Sequence, residues 1–303
     1  MVLVRGIDWS TGQGNLEFGD DSSAQFSYLD LRNARVGFRV LDERKWCLGY
    51  FVFDDGGRFW TVPCKTNENV AKGRSCSRCA GLDESTFLHN AHLGRSTPLN
   101  VRTYLSQPHW LYIATFANGE SKVGTVSDER KTTRLQEQGA VIARFVARTS
   151  DGLHVRELED QVSAALCIRQ SMGSNRKALS WLSALPFNQI DGLNRAMSAT
   201  VSDFLLTSID SRAVLAKETW RTTPDAFFTQ TLPLERFAYP REITVGAHVL
   251  DVVAVKGQSA LCSVLDRQLK RHQYIVNLAP LAGRKVEPGL FSVEYEDVPM
   301  TLF

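Results

Sequence analysis

The sequence predicts an α+β fold. A small central α/β domain is flanked by an N-terminal β region with a zinc-binding loop and by a C-terminal β-rich domain. Three observations predict it. Short aromatic and β-branched runs fill residues 1–63, an Asn-Gly turn and then helical periodicity mark 108–187, and alternating strands return from Glu242 onward. The expected boundaries are 1–63 for the N-terminal β region, 64–107 for a Cys/His zinc-binding segment, 108–187 for the α/β domain, and 188–303 for a helical connector with the C-terminal β-rich domain.

In the first region "FSYLDL", "ARVGFRVL", "CLGYFVF" and "RFWTV" read as strands, separated by "DERK" and the turn "DDGG". Residues 64–98 then break the rhythm. They are polar and loop-rich, with too little apolar content to fold unaided, and a cross-link would order them.

The cysteines supply one. Of the six, Cys76 and Cys79 form a C-x-x-C, Cys64 lies upstream, and His89 and His92 lie downstream. A C-x-x-C chelates from one turn, and zinc takes four N or S ligands in a tetrahedron, so Cys64, Cys76 and Cys79 with His89 or His92 form the expected structural site. Cys47 is an equal alternative for the fourth ligand. Lys72, Arg74 and Arg78 favour thiolates in this loop. Cys167, on the apolar stripe of a helix, and Cys262, in a strand, read as buried thiols.

Within 108–187, "HWLYIATF" and "SKVGTV" read as strands joined at Asn118-Gly119, which suits a type I′ hairpin. Ser127 or Asp128 is the expected cap of the following helix and Gly139 its end. "AVIARFVART" is a third strand. "LHVRELEDQVSAALCIRQ" is a helix with Leu158, Val162, Ala165 and Leu166 on one stripe, and "SNRKALSWLSAL" is a second, shorter one. A helix near 190–206 leads to the C-terminal strands, where Gly257 of "KGQ" makes a turn.

Function must come from local chemistry. The net charge of +2 gives no global attraction to nucleic acid, so phosphate binding would rest on a patch. No stretch approaches the roughly 18 uninterrupted apolar residues of a membrane span, and the N-terminus lacks a signal-peptide core, so the cytoplasm is the expected location. Alternation places Tyr112 on one strand face and Lys122 with Gly124 on one face of its partner. Arg130 and Arg134 share one side of a helix. A tyrosine, a lysine and two arginines around a glycine-lined hairpin suit a phosphate.

The order of these pieces resembles the GIY-YIG nuclease domain. "LYI" (111–113) stands where GIY would be, "KVG" (122–124) where YIG would be, and Thr125 matches the threonine that follows. The resemblance implies catalytic roles for Tyr112, Lys122, Arg134 and Glu159, with Glu159 holding magnesium or manganese. It implies substrate contacts for Gly124, Thr125, Arg130 and Asn175. Lys122 departs from the pattern, which has tyrosine there, and this weighs against hydrolysis. Most of residues 30–287 also resembles a bacterial family that joins a cysteine-rich segment to a GIY-YIG-like domain and a β-rich tail, through "SCSRCAGLD", "HNAHLG", "KVGTVSDERKTTRLQEQGA", "VAVKGQ" and "IVNLAPLAGRKVE". The expected function is a metal-dependent nuclease acting on nucleic acid. The alternatives are a non-hydrolytic RNA or tRNA binder, and an enzyme recruited to a nucleotide or an aminoacyl-tRNA.

Overall fold

The computed structural model describes residues 1–19, 25–94, 96–208, 212–228, 235–265 and 271–292. Strands dominate a mixed α and β chain. In chain order they open with β1 (Val2–Asp8), β2 (Asn15–Gly19), β3 (Phe26–Asp30), β4 (Arg35–Val40), β5 (Tyr50–Phe53) and β6 (Phe59–Val62). Three short helices follow, α1 (Ser77–Leu82), α2 (Ser85–Asn90) and α3 (Leu99–Leu105). Next come β7 (His109–Thr115), β8 (Ser121–Ser127), α4 (Lys131–Gln138), β9 (Ile142–Thr149), α5 (Gly152–Leu166), α6 (Ser174–Leu179) and α7 (Phe187–Ser208). The remaining strands are β10 (Ala213–Arg221), β11 (Arg236–Ala238), β12 (Ala247–Lys256), β13 (Ser259–Leu265), β14 (Arg271–Asn277) and β15 (Lys285–Pro288).

The chain divides into two compact units, each assembled from separated segments. The first takes Met1–Trp46, Ser174–Leu182 and Thr223–Phe303; the second takes Cys47–Gly173 and Ser183–Thr222. This differs from the sequence-based boundaries. The N-terminal and C-terminal β regions are one nine-stranded sheet, ordered β11-β14-β13-β12-β4-β15-β1-β2-β3. The reason lies in β4, which pairs antiparallel with β12 on one side and β15 on the other. Residues 47–63, read as part of the first region, belong to the second unit with the cysteine segment.

The core of the first unit is aliphatic, with Val4, Leu16, Val36, Phe38, Leu250, Val252, Val276 and Leu281 buried together. The sheet curls: Trp9, just after β1, donates its indole N–H to the Gly257 carbonyl in the β12–β13 turn at 3.1 Å. Gly257 has φ +60°, the left-handed value that the turn requires.

The second unit is built on an antiparallel sheet ordered β10-β9-β7-β8. Helices α5 and α7 cover one face, where Val155, Leu158, Val162, Val201 and Leu205 pack on Leu111, Ile113 and Val123. Helix α4 covers the other, where Leu135 packs with Tyr112, Ala114, Val126, Ala143 and Phe145. Asp151 caps α5 by accepting the N–H groups of Leu153 and His154 at 3.0 and 2.8 Å.

Local expectations fare unevenly. The β7–β8 hairpin forms, but Gly119 alone of its turn residues has positive φ, so the loop is not type I′. Gly119 N–H donates to the Phe116 carbonyl and Phe116 N–H to the Glu120 carbonyl, both at 2.9 Å, a type I turn closed by a left-handed glycine. A 3-10 turn at Asp128–Arg130 precedes α4 in place of a side-chain cap, while Gly139 ends the helix at φ +67° as expected. Helix α5 stops at Leu166 because Cys167 turns left-handed, which leaves Cys167 exposed instead of buried. Ala165, placed on the apolar stripe, is exposed as well. Cys262 is buried as read. No helix among the described residues is long and apolar enough to cross a membrane.

Candidate metal centre and hairpin site

The β5–β6 hairpin is the device that gathers the cysteines. Its pairing, Tyr50 opposite Val62, brings Cys47 before β5 alongside Cys64 after β6. Gly49 makes this approach possible. Its φ is +87°, and a Cβ there would run into the Val62 carbonyl. Cys76 and Cys79 come from the start of α1. All four sulfurs lie within 4.8 Å of one another and all four residues are buried. A tetrahedral zinc with bonds of about 2.3 Å spaces its sulfurs by roughly 3.8 Å, so the cluster fits a soft divalent ion such as zinc.

Burial raises the Cys47 thiol, against two backbone hydrogen bonds that lower it. Cys47 Sγ accepts the N–H groups of Cys76 at 3.1 Å and of Gly49 at 3.4 Å. Burial works to raise the Cys64 thiol, but the Thr66 hydroxyl and the Glu68 and Thr66 N–H groups outweigh it and hold the thiol at about 6. Burial pushes Cys79 up, as do its neighbouring thiols. A bound cation favours the thiolate form of the sulfurs that hold it.

The fourth thiol of the cluster is Cys47, the alternative to a histidine. His92 is not part of the cluster; its Nε2 sits 2.9 Å from Asp160 Oδ2 on α5. The side chain of His89 lies outside the described residues.

In the hairpin, Tyr112 stands directly opposite Gly124 and Ala114 opposite Lys122. Tyr112, Lys122 and Gly124 thus share the α4 face of the sheet. A Cβ on Gly124 would lie 2.5 Å from Tyr112 Cζ and Oη, so the tyrosine ring lies across the glycine. Lys122 Nζ is 5.7 Å from the Tyr112 ring and donates to the Gln170 carbonyl at 2.9 Å. Arg134 joins them from α4. Burial works to lower its pKa, but the Tyr112 hydroxyl, Glu137 and the Tyr104 hydroxyl outweigh it and raise it. Glu137 also receives Arg130 at 2.5 Å and Arg134 at 3.4 Å.

Thr125 and Glu159 lie on the other side of this sheet. Thr125 pairs with Leu111 and so belongs to the opposite, α5 face. Glu159 rises from α5 and is buried, with its carboxylate held by Arg156 at 2.7 Å. Asn175 is exposed and belongs to the first unit. Sequence reasoning also missed a polar chain: His92 to Asp160, Asp160 Oδ1 to Gln170 Nε2 at 2.7 Å, and Gln170 to Lys122. His154 is buried, 3.1 Å from Glu157. Among the described residues, the cysteine cluster is the one group of three or more His, Cys, Asp or Glu side chains placed to hold a metal ion.

No curated protein and no solved structure matches the chain. Residues 64–178, which run from Cys64 through the C-x-x-C, the β7–β8 hairpin and α5, match the model of a family described as "Protein of unknown function (DUF2797)".

Proposed function

We propose that the protein binds nucleic acid without cutting it, through a unit stapled by structural zinc on Cys47, Cys64, Cys76 and Cys79. The observation that carries this reading is the charge of the metal loop. Lys65, Lys72, Arg74 and Arg78 are all exposed there, against the single acid Glu68. Such a patch attracts a phosphate backbone even where net charge is near zero. A closed site of four thiolates leaves zinc no open position for substrate, so its part is to order the loop.

Binding is favoured over hydrolysis because the groups a nuclease needs free are engaged. Lys122 is hydrogen-bonded to a carbonyl, and Glu159 is ion-paired beneath the face of the sheet opposite Tyr112. A single arginine-bound carboxylate does not fit a catalytic magnesium or manganese ion, which takes several oxygen ligands.

The test is fluorescence anisotropy with labelled RNA and DNA oligonucleotides across a salt series, on protein of measured zinc content. Affinity is expected to fall linearly in log-log form with salt. The K65A/K72A/R74A/R78A variant is expected to lose about tenfold or more and flatten the slope. No binding at low salt overturns the reading. Magnesium-dependent cleavage that disappears in Glu159→Ala would restore the nuclease.

A further inference from the structure

The zinc loop is joined to the hairpin site by a run of stacked cations and rings, all within the second unit. Arg74 lies over the Phe51 ring at 4.7 Å, and Phe51 meets Phe59 edge-on at 5.8 Å. Arg130 lies over Phe59 at 4.6 Å. Phe59 also reaches Phe53 at 5.8 Å, Phe53 reaches Tyr104 at 5.1 Å, and Arg130 shares Glu137 with Arg134. Register explains the alignment. Phe53 pairs with Phe59 and Phe51 with Thr61, so these side chains share one face of the β5–β6 hairpin, while Val52 and the half-exposed Trp60 take the other.

From this we infer that the nucleic acid taken by this face is single-stranded, with unstacked bases lying on the planar guanidinium groups of Arg74 and Arg130. The inference rests on the nucleic-acid reading above and narrows it. Arg74 is exposed and Arg130, paired with Glu137, is 27% exposed; guanidinium groups stack with flat π systems, and unpaired bases are the flat groups that nucleic acid supplies. Contact with Phe51 and Phe59 already restrains both arginines, so less side-chain entropy is lost on binding. The zinc site holds both ends of the hairpin that carries the rings, and the basic loop beside it supplies attraction to the backbone. A duplex buries its base faces in its own stack, leaving this surface only phosphates to bind. Stacking of this kind tolerates any sequence.

The experiment uses the full chain with its zinc. Anisotropy is measured on a mixed-sequence single strand, as RNA and as DNA, and on the matching duplexes. Wild type is expected to prefer single strands by about fivefold or more. The variant R74K/R130K keeps both charges and loses both planes. It is expected to lose most of that preference while the salt slope stays unchanged. Trp60→Ala removes an aromatic from the other hairpin face and is expected to bind as wild type. Equal wild-type affinity for single strands and duplexes, or an unaltered preference in R74K/R130K, overturns this inference and leaves the nucleic-acid reading standing. Absence of binding to every probe overturns both.

Discussion

Tyr112 and Gly124 face each other across the β7–β8 hairpin, and the tyrosine ring fills the space in which a Gly124 side chain would stand. With a Cβ placed 2.5 Å from Tyr112 Cζ, either the ring or the strand must move. Gly124→Ala is expected to destabilise the second unit by about 1–3 kcal/mol, the usual cost of overpacking a tight core. The cost should shrink when Tyr112 is replaced by leucine, and a double-mutant cycle in urea measures that coupling. A cost independent of residue 112 would refute the assigned contact.

Metal stoichiometry separates the ligands. Elemental analysis is expected to find one zinc per chain in wild type and in His92→Ala, and a loss of zinc in Cys47→Ser. Stripping zinc with a strong chelator should speed amide exchange across residues 47–79, since metal binding and folding of such a loop are one free energy. Retained zinc in Cys47→Ser would return the fourth position to a histidine.

His248 gives the first unit a pH response. It is fully buried in β12, where Nδ1 accepts from the Tyr239 hydroxyl and Nε2 donates to the Val245 carbonyl, both at 2.9 Å. Burial is the main reason its pKa falls below the usual 6.5. The folded state therefore favours the neutral ring. Its contribution is complete above the unfolded pKa and is lost as pH falls through the folded value. Urea midpoints should drop from pH 7 to pH 5 in wild type, and less steeply in His248→Gln. Parallel profiles would exclude His248 as the source.

Arg144 on β9 is held by Asp191 at 2.7 Å and by Asn194 at 2.8 Å, both on α7. Little of either charged side chain reaches solvent, 15% for Arg144 and 13% for Asp191. Asp191→Ala strands a mostly buried guanidinium and is expected to cost roughly 2–4 kcal/mol. Replacing both partners, as in R144M/D191L, should recover most of that loss. Denaturant titration of the single and double variants checks it.

What was legible in the sequence was what local spacing controls. Cys64, Cys76 and Cys79 stood out through the C-x-x-C, the hairpin through alternation around Asn118-Gly119, and the end of α4 through Gly139. Long-range pairing left no such trace. Cys47 could not be ranked above His92 because only the Tyr50–Val62 register brings it to the cluster. The union of β4 with β12 and β15 was hidden for the same reason, since each strand alone looks like any other half-buried strand. Glu159 misled through proximity in sequence. It adjoins Leu158 on the core stripe of α5, and that stripe packs on the face of the sheet away from Tyr112.

Strand β15 sits between β4 and β1 and pairs with both. During synthesis the first four strands therefore leave the ribosome with the middle of their sheet missing. Arg39 must wait for Ala247, its partner in β12, and translation at the usual 5–20 residues per second makes that delay roughly 10–40 s. The segment Cys47–Gly173, with the cysteine cluster, emerges within this interval. Metal loading of the nascent chain can thus precede closure of the nine-stranded sheet, with β15 as its keystone.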